Sequence, residues 1–169
     1  MFLDANKIKK EMVTSNGAHA VTVQTVVGKR TYTWFSQHDK NICKGDKLID
    51  GSGCATCATM AVVNTFGSKY VMAPYDFRHK YQQEIIGGMG MPWSCQQCMK
   101  ALEASGLHTD YHHQSNLSTT YSLIRTHLLA GMPVIVWVWY KDVNGKVTKS
   151  YTNYAHVILL AGVTSDDKA

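Results

Sequence analysis

The chain has 169 residues, of which 45% are hydrophobic and 17% charged, and its net charge is +5. This length and composition predict one ordered globular domain with a sizeable core, and they exclude a disordered chain. Lysine and arginine are scattered along the chain and form no run, so we expect no nucleic-acid binding. The longest apolar stretches, residues 133–140 and 157–163, have the length of strands, so we expect no membrane span.

The number of cysteines and the first residues of the chain bear on disulfide pairing and on targeting. Five cysteines are an odd number, which argues against a fully paired disulfide framework. The first seven residues contain no apolar signal core, so we expect any secretion signal to be absent or already removed.

The first third of the chain predicts an arm, a hairpin and a loop. Residues 1–17 are polar and mixed, which indicates a short helix or a loose arm. Alternating residues in 20–27 and 30–35, with a turn at Gly28-Lys29, predict a β-hairpin. The mostly polar segment 36–52 predicts an ordered loop. We therefore expect an arm and hairpin over 1–31 and the main part of a single domain over 32–169.

A cysteine-bearing helix follows, and the rest of the chain is organised around it. Gly51-Ser52-Gly53 predicts a turn, and the small apolar residues from Cys54 to Gly67 predict a buried helix that ends at that glycine. A thiol in the first turn of a helix faces unpaired N–H groups and the positive end of the helix dipole, which favour a thiolate nucleophile. The alternative is that Cys54 and Cys57 are small core residues.

After this helix, the sequence predicts three further helices and then three strands. A short helix is predicted from Pro74. Another is predicted over 92–105, with a capping box of Ser94 and Gln97 and an end at Gly106. A third, over 118–130, stops at Gly131. Strands are predicted over 133–140, 146–151 and 155–163. This order predicts an α+β fold.

One of the eight histidines differs from the others in its setting. His156 opens a strongly apolar strand, so the backbone that carries it is expected to be rigid and buried. A rigidly mounted imidazole is what a general base requires, although it could equally cap the strand. Most of the others lie in polar segments and are expected at the surface.

Four motifs, taken in order, resemble the double-glycine (bacteriocin-processing) peptidase-like branch of the papain superfamily over residues 32–163. They are Phe-Ser-Gln-His-Asp (35–39), Leu-Ile-Asp-Gly-Ser-Gly-Cys (48–54), Leu-Leu-Ala-Gly-Met-Pro-Val-Ile-Val (128–136) and Ala-His-Val-Ile-Leu-Leu-Ala-Gly-Val (155–163). The resemblance implies a papain-like fold, with an N-terminal catalytic helix packed on a C-terminal antiparallel sheet. It further implies a bacterial or phage-borne thiol protease that acts outside the cytoplasm.

The same resemblance assigns the chemistry to three residues. Cys54 is the expected nucleophile, His156 the general base and acid, and Gln37 the side-chain donor of the oxyanion hole beside the N–H of Cys54. The expected reaction is cleavage of amide bonds in a peptide or protein through a thioester, without a cofactor. Without the resemblance, Gln37 would be read as an ordinary loop glutamine.

The resemblance leaves the third catalytic residue unassigned. In the family it is an Asp or Asn on the strand after the histidine strand, but here Asp166 and Asp167 fall in the expected turn and the chain ends at Ala169. The sequence also has Ala55-Thr56-Cys57 where the family usually has Gly-Pro-Thr-Ser, and Ala155 where it usually has glycine. The orienting acid therefore lies past residue 169, comes from elsewhere in the fold, or is missing from a weak or inactive peptidase.

Two other functions are consistent with the sequence. Cys54, Cys57, Cys95 and Cys98 form two C-x-x-C pairs, which could hold a structural zinc or an iron–sulfur cluster. The 37 residues between the pairs exceed the usual spacing of about 15–20, and both pairs fall in helix-like sequence. A catalytically silent papain-like domain that binds a peptide is the other alternative. Cys43 belongs to no motif.

Overall fold

The computed structural model describes residues 11–13, 17–25, 28–67, 71–81, 94–113, 116–138 and 156–163. These residues form strands β1 (Glu11–Val13), β2 (His19–Thr25) and β3 (Gly28–Trp34), helices α1 (Lys47–Ser52), α2 (Cys54–Val62), α3 (Pro74–Tyr81), α4 (Cys95–Ala104) and α5 (Leu117–Leu129), and strands β4 (Val134–Val138) and β5 (His156–Leu160). Within these ranges the strands make two small antiparallel sheets, β1-β2-β3 and β4-β5. The predicted α+β class is confirmed.

The predicted hairpin is present, but Gly28 and Lys29 do not form its turn. Thr25 pairs with Gly28, and the Thr25 hydroxyl donates to the Gly28 carbonyl at 2.7 Å. Gly28 and Lys29 therefore belong to β3, and the connection is residues 26–27, which lie outside the described residues. The helix or loose arm predicted before the hairpin is wrong for Glu11–Val13, which pair with the free edge of β2.

The loop predicted over 36–52 is wrong at its end, because α1 forms there. Asp46 caps this helix: its carboxylate accepts the N–H of Leu48 at 2.9 Å. Ile49 is the buried residue of this helix. Gly51 and Ser52 belong to α1, so of the predicted turn residues only Gly53 lies outside a helix. The signal available in the sequence was Asp46, two residues before the apolar pair Leu48-Ile49.

Helix α2 is the buried element on which the others pack, as predicted. Its small residues allow β3, β5, α3 and α4 to approach closely, and a π-helical turn, Val63–Gly67, continues it to the predicted glycine. Its buried Thr59 hydroxyl donates to the Ala55 carbonyl at 2.8 Å, so no polar cost is left at that position. Seven of its nine residues are buried, which explains why the sequence there is apolar on every side.

The later helices follow their predicted signals closely. The capping box of Ser94 and Gln97 opens α4, which begins at Cys95, and Pro92 lies outside the described residues. Asn116 caps α5 through its side chain, so this helix starts at Leu117. Gly106 and Gly131, each just past a helix end, have positive φ angles of 80° and 77°, as C-terminal glycines commonly do.

The second sheet pairs β4 with β5 from Val134↔Leu160 to Val138↔His156. Trp137 packs against the core, and the strand predicted over 146–151 lies outside the described residues. Among the helices described, none is both long and apolar enough to cross a membrane.

Candidate active site

Cys54 is the first residue of α2. Its side chain is half-exposed and packs on one side against the core. The residue before it, Gly53, is the single link between α1 and α2, and its N–H donates to the Ile49 carbonyl at 2.8 Å. A Cβ built on Gly53 would lie 2.4 Å from that same carbonyl oxygen. The tight junction that delivers Cys54 therefore requires glycine.

Gly53→Ala is expected to lower the free energy of unfolding by about 1–3 kcal/mol, because backbone and not a flexible side chain must move. Gly51→Ala is the matched control. A Cβ at this position meets nothing within 4 Å, and the substitution replaces a glycine inside α1 by alanine. It is expected to be neutral or to stabilise by up to about 1 kcal/mol. Urea unfolding of both variants measures the difference, and equal effects would show that the close approach at Gly53 carries no cost.

His156 is the first residue of β5, and β5 packs directly on α2. Burial lowers the pKa of the His156 imidazole from 6.5, and repulsion by the neighbouring His38 lowers this pKa further. A lowered pKa leaves the imidazole neutral at pH 7, which is the form that accepts a proton.

The titration of His156 by NMR is expected to have its midpoint below pH 6.5. His38→Ala is expected to raise this midpoint without restoring 6.5, because burial is the larger cause, and His108→Ala, on the surface, leaves it unchanged. The depressed pKa also implies stability that is complete above pH 6.5 and is lost as the pH falls through the folded-state value. A midpoint at or above 6.5 would contradict the placement of His156.

Gln37 and His38 are both held by Asp50, a residue of α1 that sequence reasoning missed. The Gln37 side-chain amide donates to the Asp50 carbonyl at 3.0 Å, and His38 Nδ1 lies 2.6 Å from the Asp50 carboxylate. Asp50 stands four residues before Cys54, so α1 ties the 36–38 segment to the start of α2. An amide nitrogen has two hydrogens, so Gln37 retains one donor beyond the Asp50 bond.

The five thiols are all free, but they differ in their surroundings. Burial raises the pKa of Cys43 to about 11, with Asp39 and other aspartates adding to the effect. Burial likewise raises the pKa of Cys57 and of Cys98 to about 12 each. These three thiols are therefore protonated at neutral pH and are poor nucleophiles. Cys54 and Cys95 are the two that occupy the first position of a helix.

The zinc alternative gains no support from the arrangement of these cysteines. All five lie in the described part of the chain, and within it no three His, Cys, Asp or Glu side chains converge as a metal site requires. Helices α2 and α4 do pack against each other, with the Cys98 thiol 4.0 Å from the Ala55 carbonyl. The two C-x-x-C pairs are neighbours, but they do not form a single four-thiolate centre.

The structure thus brings Gln37, His38 and Asp50 to the start of α2 and places His156 on the strand that packs against it. Asp166 and Asp167 lie outside the described residues. No protein-family model, curated protein or solved structure matches this chain.

Proposed function

We propose that the chain is a papain-like cysteine peptidase with Cys54 as nucleophile, His156 as base and Gln37 in the oxyanion hole. One observation carries this proposal: the element that begins with Cys54 packs on the strand that begins with His156. Packing of these two elements can bring the thiol and the imidazole within reach of each other, which is what a nucleophile and its base require.

The proposed reaction divides hydrolysis into two acyl transfers. His156 accepts the proton of the Cys54 thiol, and the sulfur attacks the carbonyl carbon of the peptide bond. The tetrahedral intermediate carries an oxyanion, which accepts hydrogen bonds from the Gln37 amide and the Cys54 N–H. His156 then gives its proton to the leaving amine. Water, deprotonated by His156, attacks the thioester carbon; the C–S bond breaks, the acid is released, and the Cys54 sulfur takes back the proton from His156.

The anchoring of Gln37 supports its role. A donor contributes to catalysis only if it is already in place when charge develops, because reorganisation would consume the gain. The bond to the Asp50 carbonyl fixes the amide beside the helix that carries the nucleophile. The contact between His38 and the Asp50 carboxylate holds the adjacent residue, so the whole 36–38 segment is restrained.

Cleavage of a proteome-derived peptide library tests the proposal without a known substrate. The full chain is incubated with the library, and new peptide termini are identified by mass spectrometry. We expect new termini that share a residue pattern, and we expect them to disappear with His156→Ala. Peptides that are retained uncut by wild type and His156→Ala alike would favour the silent peptide-binding domain instead.

Gln37→Ala is expected to lower kcat for a peptide found in this way by roughly 10²–10³-fold, with little change in KM. The reason is that an oxyanion-hole donor acts on the transition state more than on the bound substrate. Gln96→Ala is the matched control, because it makes the same change at an exposed position of α4. An effect of Gln37→Ala confined to KM would remove this residue from the oxyanion hole.

A further inference from the structure

The first turn of α4 presents a second pair of cysteines, which the proposed peptidase reaction does not use. Cys95 is the first residue of this ten-residue helix and is half-exposed. Cys98 follows three positions later and is only 2% exposed. Its thiol points to the start of α2, where the Ala55 carbonyl is 4.0 Å away. One thiol is therefore open to solvent and the other is shielded.

The helix start that carries this pair is well fixed. The Ser94 hydroxyl accepts the Gln97 N–H at 3.3 Å, and the Gln97 side chain accepts the Ser94 N–H at 2.8 Å. Residues three apart on a helix lie on the same face, so Cys95 and Cys98 are close neighbours. A C-x-x-C pair at a helix N-terminus is the arrangement in which a dithiol closes to a disulfide without breaking the helix.

A tyrosine outside the helix contacts the exposed thiol of the pair. The Tyr111 side chain lies beside Cys95, and its interaction with that thiol raises the pKa of Tyr111. The loop that carries Tyr111 is bound back onto α4: the Leu107 N–H donates to the Leu102 carbonyl at 3.1 Å, and the Thr109 hydroxyl donates to the Glu103 carboxylate at 2.9 Å. A phenol hydroxyl beside a sulfur is able to donate a hydrogen bond to it.

We propose that Cys95 and Cys98 are a thiol–disulfide exchange site, in which Cys95 attacks an external disulfide and Cys98 resolves the product. The Cys95 thiolate attacks one sulfur of the external disulfide, whose S–S bond breaks and releases one thiolate. Cys98 then loses its proton to solvent and attacks the Cys95 sulfur, which releases the second thiolate. Two electrons pass from the cysteine pair to the external disulfide, which is reduced to two thiols.

The order of attack follows from the surroundings of the two sulfurs. Burial raises the pKa of Cys98 to about 12, so this thiol stays protonated while Cys95 is open to solvent beside the Tyr111 hydroxyl. Only after the mixed disulfide forms is an electrophilic sulfur within reach of Cys98. The site goes beyond the proposed peptidase and does not require it, since neither step uses Cys54 or His156.

Glutathione disulfide is a suitable probe for this exchange, applied to the full chain carrying Cys54→Ala. Samples are quenched in acid, alkylated, digested and analysed by mass spectrometry. We expect a Cys95–Cys98 disulfide that dithiothreitol reverses. Cys98→Ser is expected to stop at a glutathione adduct on Cys95, whereas Cys95→Ser leaves Cys98 unmodified. Absence of the intramolecular disulfide in the folded Cys54→Ala protein would overturn the proposal.

Tyr111→Phe provides a second measurement that does not depend on changing a buried residue. It removes only a hydroxyl from a side chain that is 54% exposed. We expect the rate of adduct formation at Cys95 to fall about threefold to tenfold at pH 7 and at pH 8, because the hydroxyl can no longer hydrogen-bond the attacking sulfur. Tyr121→Phe, on exposed α5, is the matched control and leaves the rate unchanged. Equal rates in Tyr111→Phe and wild type at both pH values would contradict the role of Tyr111.

Discussion

Replacing Cys54 with alanine is expected to reduce peptide cleavage by about 10⁴-fold or more while the protein stays folded. The loss is large because the thioester cannot form without the sulfur, and the remaining groups act only as a unit with it. The structural cost is small, since the half-exposed side chain loses one atom and the helix gains a residue of high propensity. We expect the free energy of unfolding to change by less than about 1 kcal/mol.

Cys57→Ala is the matched control on the same helix. Burial raises the pKa of this thiol to about 12, so it is expected to serve packing and not chemistry. Its replacement is expected to cost about 1–2 kcal/mol of stability and to leave cleavage within a fewfold of wild type. Library cleavage and urea unfolding of both variants provide the comparison. Unfolding of Cys54→Ala would show that Cys54 is a structural residue, and full activity in it would show that Cys54 is not the nucleophile.

The elements that sequence reasoning found are those in which local chemistry and burial agree. Helix α2 was visible because small apolar residues run without interruption to Gly67, and it is buried on nearly all sides. The start of α4 was visible because the capping box is a purely local signal. His156 at the opening of β5 was visible because the strand after it is strongly apolar.

The missed elements depend on partners that are remote in sequence. Glu11–Val13 is a strand because β2 offers a free edge, which no local pattern in the arm reveals. Helix α1 was hidden by Gly51 and Ser52, which favour turns, and it forms under the Asp46 cap. Asp50 was missed as a site residue for the same reason. Its backbone carbonyl holds Gln37 and its carboxylate contacts His38 only because α1 exists.

Of the residues around α1, Asp46 is the one whose replacement we expect to lower stability most. Its carboxylate caps α1 and pairs with the guanidinium of Arg78 on α3. The Arg78 side chain is only 2% exposed. Within the described part of the chain, the Nε and Nη2 atoms of Arg78 are buried without another hydrogen-bond partner. Asp46 is thus the counter-ion of a charge that has left water, and removing one partner of such a pair is far more costly than removing both.

Asp46→Ala is therefore expected to lower the free energy of unfolding by about 3–5 kcal/mol, of which loss of the helix cap accounts for about 1 kcal/mol. Asp46→Asn separates the two contributions, because the amide oxygen can still accept the Leu48 N–H while the charge is gone. Most of the loss is expected to remain in Asp46→Asn, and adding Arg78→Met is expected to recover part of it. Urea unfolding of the three variants measures these differences. A loss of only about 1 kcal/mol in Asp46→Ala would mean that the pair with Arg78 contributes nothing.

For the proposed site, we therefore expect stability and catalysis both to depend on α1. Without the ion pair that ties it to α3, α1 holds the Asp50 carbonyl less firmly against Gln37. Asp46→Asn is therefore expected to lower kcat at temperatures where the protein is still folded, although Asp46 touches none of the three proposed catalytic side chains. Gln37→Ala/Asp46→Asn is the informative combination: if α1 acts through Gln37, the second substitution adds little to the first. Additive losses would mean that Asp46 affects turnover by another route.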